Sequence, residues 1–418
     1  MKSSSDWGRS GMSCSDWQEV TLGVIAKYSN TRITTDKLLP SNYVSTENML
    51  PNKAGKTVAT SIPKGNSTKY NSGQTLFSNI RPYFKKILHA STEGGCSADV
   101  LVFEISEVID DKYFFYYLSQ DNFFDYVSNS SRGTKMPRGD KQQILMYPFK
   151  YPQKKEQKAI AATLSCLDDK IELNNKINDN LEQMAQAIFK SWFVDFEPFQ
   201  DGEFVDSELG RIPKGWKLRT LDDVTSKFTT GLNPRKNFVL GHGDNFYVTI
   251  KNMGNNQVWL DEKCDKVTDD AIQKINKRSD LKKGDLLFSG IGTIGRVFFL
   301  DETPSNWNIS ESVFTLRPNS ILSSEILYMI LLSDNMQSYA HQLANGSVQK
   351  GIRMADLKRY EVIIPCRDIV ENVTSILRPI IMKIKTNQYQ NLILASMRDK
   401  LLPKLMSGEI RVPIDKVV

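Results

Sequence analysis

Histidine is scarce in this chain, three in 418 residues, and His89, His242 and His341 stand alone with no HxxxH or HExxH spacing. A histidine-bound zinc centre or a histidine general base therefore has no sequence signature. Cysteine is scarce too: Cys14, Cys96, Cys166, Cys264 and Cys366 are odd in number and never form CxxC. They read as free thiols, which excludes a disulfide or zinc framework. No apolar run approaches the ~18 residues of a membrane span, and the N-terminus lacks the apolar core of a signal peptide. A cytoplasmic protein with no membrane partner is expected. Charge of one sign is also not in large excess, since 54 Lys plus Arg against 48 Asp plus Glu leave +6, with an isoelectric point near 8.8. Such mild basicity permits a polyanionic partner without demanding one.

What is present is organised by a helical run over 153–196. Ile160, Leu164, Leu167 and Ile171 step by four, three and four, and Ile177, Leu181, Met184 and Ile188 repeat the rhythm after a one-residue slip. Near the other end, Val373, Leu377, Ile380 and Ile384 step identically, followed by Leu394, Met397 and Leu401. Each spacing puts an apolar seam on one helix face, and two seams without a local partner are expected to bury against each other. Asn174, Asn175 and Asn178 interrupt the first seam, as Asn387, Gln388 and Asn391 interrupt the second. Two readings stay open: amides buried in the seam to fix register, or a stretch that is simply exposed.

A chain of this length exceeds one core and suggests two domains, and a search for self-similarity supplies them. Residues 97–184 lie on 310–397 without a gap, at a constant offset of 213. The pairs include Ser97 with Ser310, Leu118 with Leu331, Asp121 with Asp334, Tyr126 with Tyr339, Tyr147 with Tyr360, Pro152 with Pro365 and Leu181 with Leu394. Upstream, GQTLFS at Gly73 matches GDLLFS at Gly284, and Trp17 matches Trp216. The two halves differ most between these anchors. Short β-rich runs such as TLFSNI and LLFSGI, punctuated by Gly, Pro and Asn, suggest strands and turns. Each half therefore reads as an α+β domain followed by a long helix. The expected division is a loose extension at 1–12, a first domain at 13–151, a helix at 152–196, a linker at 197–215, a second domain at 216–364, a helix at 365–409 and a tail at 410–418. Two like domains on paired antiparallel helices have an approximate internal twofold, which is also the symmetry of a duplex DNA backbone. Such a chain could read a split, asymmetric sequence.

The central block YPQKKEQKAIAATLSCLDDKIELNNKINDNLEQMAQAIFKSWFVDFEPF, GRIPKGWKL opening the second half and LLPKLMSGEIRV near the end make the sequence similar to the DNA specificity subunits of type I restriction–modification systems. STENMLP at Ser45 and GQTLFSNIRPYFKK at Gly73 resemble one subtype of that family's target recognition domain. The resemblance implies two pseudo-twofold-related target recognition domains separated by a pair of long antiparallel helices. It also implies no catalytic activity and no cofactor in this chain. Its partners would be double-stranded DNA, two modification (methyltransferase) subunits carrying S-adenosylmethionine, and restriction (motor-nuclease) subunits using ATP and Mg. The outer helix faces and the segments near Phe193 and Leu405 would seat the modification subunits.

Several motifs point elsewhere and fail. Gly290-Ile-Gly-Thr-Ile-Gly295 is a formal GxGxxG, yet it leads into the extended run RVFFL and not a helix, so it reads as a glycine turn between strands. Gly55-Lys-Thr57 lacks the first glycine of a phosphate loop, because Leu50 stands there. Asp168-Asp-Lys170 fits the carboxylate-x-lysine end of a nuclease site but lies on the helical run, where a solvated mixed-charge face is the better explanation. Asp261-Glu-Lys263 has no visible partner carboxylate. No (Asp/Asn/Ser)-Pro-Pro-aromatic motif of an adenine methyltransferase occurs.

Base readout needs Arg or Lys forks and Asn or Gln amides, with further cations on phosphates. In the first half, Asn79, Arg81, Lys85 and Lys86 on one turn and Arg132, Lys135 and Arg138 on a polar loop meet that need. In the second half Arg296, Gln349, Lys350 and Arg353 fall at mirrored positions, with Arg235, Lys236, Lys251 and Asn252 in the divergent segment. Two rival functions remain: a stand-alone nuclease or methyltransferase with duplicated domains, and a coiled-coil scaffold whose heads bind protein.

Overall fold

The computed structural model of the chain describes residues 17–131, 133, 135–254, 256–346 and 350–413. The expected loose extension at 1–12 lies outside them, as do Arg132 and Gln349 among the candidate contacts. Two compact units result: one comprises Met1–Glu172 with Leu392–Val418, the other Leu173–Asn391. Each unit holds one α+β domain and its own stretch of two antiparallel helices.

In the first unit a four-stranded antiparallel sheet orders Ala26–Tyr28, Val100–Ile105, Thr75–Ser78 and Ile87–His89. A second sheet orders Arg32–Thr34, Asn66–Tyr70, Gly94–Cys96 and Tyr43–Val44, the last pair parallel. The second unit repeats the plan. Thr225–Thr230, Val313–Pro318, Leu286–Ser289 and Val297–Phe299 form its antiparallel sheet. Asn245–Val248 lies between Asp265–Val267 and, in parallel, Trp307–Ile309. In both units a pair of short helices follows the sheet, Asp111–Leu118 and Asp121–Asn129 in one, Ser324–Leu332 and Asp334–Gln342 in the other. Asp110 caps the first helix by accepting from the Tyr113 amide, and Ser323 does the same for Ile326, satisfying donors that a helix start leaves open.

The long helices are Lys154–Phe193 and Arg367–Met406, 40 residues each and displaced by the same 213 that relates the halves. In the first unit Ile160, Ala161 and Leu164 share a core with Leu402, Leu405 and Met406. In the second unit Ala185, Phe189 and Phe193 share one with Val370, Val373, Leu377 and Ile381. Among the expected seam residues Ile160, Leu164, Val373, Leu377 and Ile384 are buried, and Leu167, Ile171, Leu181, Ile380 and Leu394 are half-buried. Met184 and Met397 are not seam residues: they are 52% and 47% exposed. At 3.6 residues per turn a strict three-four rhythm drifts off the contact face, so Ala185 takes the inward position beside Met184. Beside Met397 it is Arg398 that turns inward.

Arg398 donates from one guanidinium nitrogen to Asp168 Oδ1 at 2.7 Å, while the Tyr116 hydroxyl donates to Asp168 Oδ2 at 2.6 Å. Asp168 is thus a helix-pairing anion and not part of a solvated charge face. Replacing Arg398 by alanine is expected to destabilise this unit by about 1–2 kcal/mol in denaturant unfolding, because Asp168 loses a charge-assisted partner. With Asp168→Ala in the same chain the two costs should fall short of their sum, which a double-mutant cycle reads directly.

The 197–215 stretch, expected to be a linker, carries a helical turn at Glu197–Phe199 and a hairpin pairing Phe204–Ser207 with Gly210–Pro213. Phe193, Phe196 and Phe199 all meet the Trp216 ring within 5.7 Å. Aromatic burial of this size makes the segment part of the second unit's core.

Candidate nucleic-acid interface

Each domain brings three chain segments to one place, and the two junctions are built alike. The first segment is the turn that follows the central strand. In the first domain the Asn79 amide donates to the Asp99 carbonyl, and in the second the Gly290 amide donates to Ser312. The second segment is the polar loop. Arg81 and Gly139 amides bond the carbonyls of Pro137 and Asn79, as Gly292 and Ile352 amides bond those of Lys350 and Gly290. The two segments that sequence reasoning nominated separately are therefore laid side by side by backbone hydrogen bonds in both domains.

The third segment carries candidate contacts, Lys251 and Asn252, in the second half only. Tyr43-Val44-Ser45-Thr46-Glu47-Asn48-Met49 matches Tyr247-Val248-Thr249-Ile250-Lys251-Asn252-Met253. The amide of Ser45 donates to Asn48 Oδ1 at 2.7 Å, and that of Thr249 to Asn252 Oδ1 at 3.0 Å. The signal was visible as a shared YV…NM, but its offset of 204 differs from 213, because the halves carry different insertions on either side of it.

Lys86 and Arg296 join this third segment to the turn. Lys86 Nζ donates to the Thr46 carbonyl at 2.6 Å, and an Arg296 guanidinium nitrogen donates to the repeat-equivalent Ile250 carbonyl at 3.2 Å and to that of Met253. Both cations act as clamps on a loop. Desolvation lowers the Lys86 pKa below the usual lysine value, a cost that the carbonyl bond offsets. Asn252, nominated as an adenine reader, is buried with its carbonyl oxygen engaged by Thr249. Asn79 is buried as well, its side-chain oxygen without a partner.

The remaining candidates differ in how freely they can reach a ligand. Lys85 pairs with Asp121 at 2.9 Å, Arg138 with Asp99 at 3.1 Å and Arg353 with Asp356 at 2.8 Å. Burial works to raise the Asp121 pKa, but hydrogen bonding and charge from Lys85 and Lys53 outweigh it and hold the carboxyl below the usual range. Arg81 sits at φ 49°, an unusual left-handed backbone for a residue with a side chain. It is half-buried, and it donates to the Lys135 carbonyl at 3.5 Å. Lys135, Arg235, Lys236, Lys251 and Lys350 are exposed, and their side chains have no partner among the described residues. Tyr83 and Phe84, not nominated from sequence, project from the same turn as Arg81 at 51% and 38% exposure, with ring centroids 4.7 Å apart. Exposed aromatics beside cations suit stacking on bases or wedging between base steps.

A junction of three segments built twice, with different side chains at its surface each time, defines a duplicated recognition module. Residues 14–183 and 213–408 match the model of the type I restriction modification DNA specificity domain, and the chain belongs to that family. Similar proteins include the type I restriction enzyme HindI specificity subunit of Haemophilus influenzae, 26% identical over 95% of this chain and 100% of the relative. The MjaIX specificity subunit of Methanocaldococcus jannaschii is 28% identical over 72% of this chain and 69% of the relative. Among solved structures, the S subunit of a type I restriction–modification system from M. genitalium shares the fold with a TM-score of 0.58 at 14% identity, covering 93% of this chain and 96% of that one.

Proposed function

We propose that this chain is the DNA-reading, non-catalytic member of a type I restriction–modification enzyme. Its two domains each read one half of a bipartite, asymmetric site, and partner subunits methylate adenine or cleave DNA. The observation that carries this reading is the twice-built junction whose clamp is retained while its surface is not. Lys86 and Arg296 hold equivalent loops, whereas Arg81, Tyr83 and Phe84 in one domain give way to Gly292, Ile294 and Gly295 in the other. Common scaffolding with divergent contacts is what reading two different half-sites requires.

The partners supply the chemistry. Modification subunits carry S-adenosylmethionine, and restriction subunits use ATP and Mg. Among the described residues no three His, Cys, Asp or Glu side chains converge. Among the described residues no helix is long and apolar enough to cross a membrane. The exposed methionines offer seats for two modification subunits: Met397 with Leu392 and Ile393 in the first unit, and Met184 with Leu173 in the second.

The test is methylation mapping of DNA from cells that carry the chain with its modification subunits, with a single split motif bearing one adenine in each part as the expected result. Methylation of a continuous motif, or methyl transfer by the purified chain alone, would refute the reading. Lys135→Ala in the assembled methyltransferase is expected to weaken binding on all sequences alike and to lower the slope of log affinity against log salt by about one, as one lost phosphate contact does. An unchanged slope would remove Lys135 from the interface.

A further inference from the structure

In the second domain the turn Ile250–Asn252 and the strands Met253–Gly254 and Gln257–Val258 carry Lys251 at their surface and are held from two sides. One is the Arg296 clamp. The other comes from the long helix Arg367–Met406, where Lys385 is only 7% exposed. Its ammonium donates to the Asn256 carbonyl at 2.8 Å and to Asn256 Oδ1 at 3.2 Å. It also lies 3.8 Å from the centroid of the Phe298 ring. Asn256 has left-handed backbone at φ 54° and also accepts from the Phe299 amide at 3.3 Å. A non-glycine residue in that conformation persists when its surroundings hold it there, and a buried lysine bonded to its backbone and side chain supplies the hold.

We infer that Lys385 is a positioning residue for DNA reading by the second domain, fastening Asn256, and with it the neighbouring turn Ile250–Asn252, to the long helix so that Lys251 is presented in one place. The inference rests on the proposed function. The first domain solves the same problem without a helix lysine. There the Asn52 and Lys53 amides bond the Phe84 and Lys85 carbonyls, and Lys53 Nζ reaches the Ser119 carbonyl at 3.1 Å and Asp121 at 3.3 Å. Position 172, which corresponds to Lys385 at the offset of 213, is glutamate. In the second domain the corresponding turn is the glycine run at 290–295, and the hold on Asn256 comes from Lys385 instead. The tether is specific to the domain that needs it.

The charge environment gives the inference an independent readout. Burial depresses the Lys385 pKa to about 7, with Asp301 opposing. Tyr328, on Ser324–Leu332, meets Asn256 from a third element, and Glu182 from the first long helix acts on Tyr328; burial raises both of their pKa values. Tyr328 stays neutral near pH 8, and the Lys385 ammonium is the group that loses its proton near pH 7. Between the folded value near 7 and the unfolded value near 10.5, the unfolded chain binds the extra proton, and stability rises with pH.

The experiment uses the complete chain assembled with its modification subunits, with Lys385→Met and Lys385→Arg as variants. Binding is measured on duplexes carrying base-pair changes in one half-site or the other, after the wild-type assembly has fixed the motif. In Lys385→Met, discrimination in the half-site read by the second domain should fall about tenfold, the scale of one buried hydrogen bond, with the other half-site unaffected. Lys385→Arg should recover most of it. Equal loss in both halves, or none, would overturn the inference, whereas a wild-type assembly that reads no split motif would overturn the proposed function instead. The ratio of unfolding constants, wild type over Lys385→Met, should fall by up to about tenfold per pH unit above pH 7. A ratio flat in pH would place the ammonium in solvent and defeat the inference.

Discussion

Arg317→Ala should destabilise the second unit by about 3–5 kcal/mol, the largest single-residue effect expected in this chain. Asp285 is fully buried, and Arg317 forks onto it with bonds of 2.6 and 2.9 Å to its two oxygens. The Lys282 amide adds a third bond at 2.8 Å, and Arg317 also donates to the Asp280 carbonyl at 2.6 Å. Removing the guanidinium leaves a carboxylate without its counter-charge inside a sheet, whereas removing both charges leaves neither. Arg317→Met with Asp285→Leu should therefore recover most of what Arg317→Ala loses. Calorimetry of the complete chain is the measurement. A shift of one unfolding transition to lower temperature is expected, and a change below about 0.5 kcal/mol would mean that the pair is solvated. The first half has Gln74 and Glu104 at the corresponding positions, so its transition should stay where it is.

Gly290→Ala should damage recognition by the second domain more than its size suggests. A Cβ at this position would stand 2.4, 2.6 and 2.9 Å from carbons of the Phe314 ring, which is buried and stacked near Phe288. The ring cannot retreat without breaking the sheet, so a cost of about 1–3 kcal/mol is expected. The strain falls on the residue whose amide and carbonyl join the turn to Ser312 and Ile352. Discrimination in one half-site should drop by about tenfold or more if ~1.4 kcal/mol of that strain reaches the interface. The repeat explains the position: Asn79 occupies it in the first domain, where Leu101 stands in place of Phe314. Gly290→Ala combined with Phe314→Leu is therefore expected to restore recognition. If the double variant reads DNA no better than the single one, steric conflict is not the cause.

Periodicity and self-similarity carried the architecture, because both follow from chain geometry that repeats along the sequence. The long helices, the α+β halves and the glycine turn at 290–295 were readable for that reason. Roles within the junction were not. Lys86 and Arg296 look like DNA cations in sequence, yet each bonds a loop carbonyl. Asn252 looks like an adenine reader and is a turn cap. A side chain's function here depends on which backbone carbonyl lies within reach, and the carbonyls of 46 and 250 come from turns far away in the chain. The open choice over the helix amides is decided the same way. Asn174 donates to Asn391 at 2.9 Å and Asn387 to Asn178 at 2.8 Å, two bonds that exchange under the repeat, and Asn174 and Asn387 are both 1% exposed. Helical period alone could not say whether that face was covered.

The amino-acid order by itself determined that this protein is a duplicated α+β module with two long amphipathic helices, since hydrophobic period and a constant offset are properties of the chain. Only the tertiary structure decided which polar residues build the junction and which are left at its surface. Hydrogen bonds and ion pairs act over about 3 Å, and sequence spacing does not report proximity on that scale between segments from different parts of the chain.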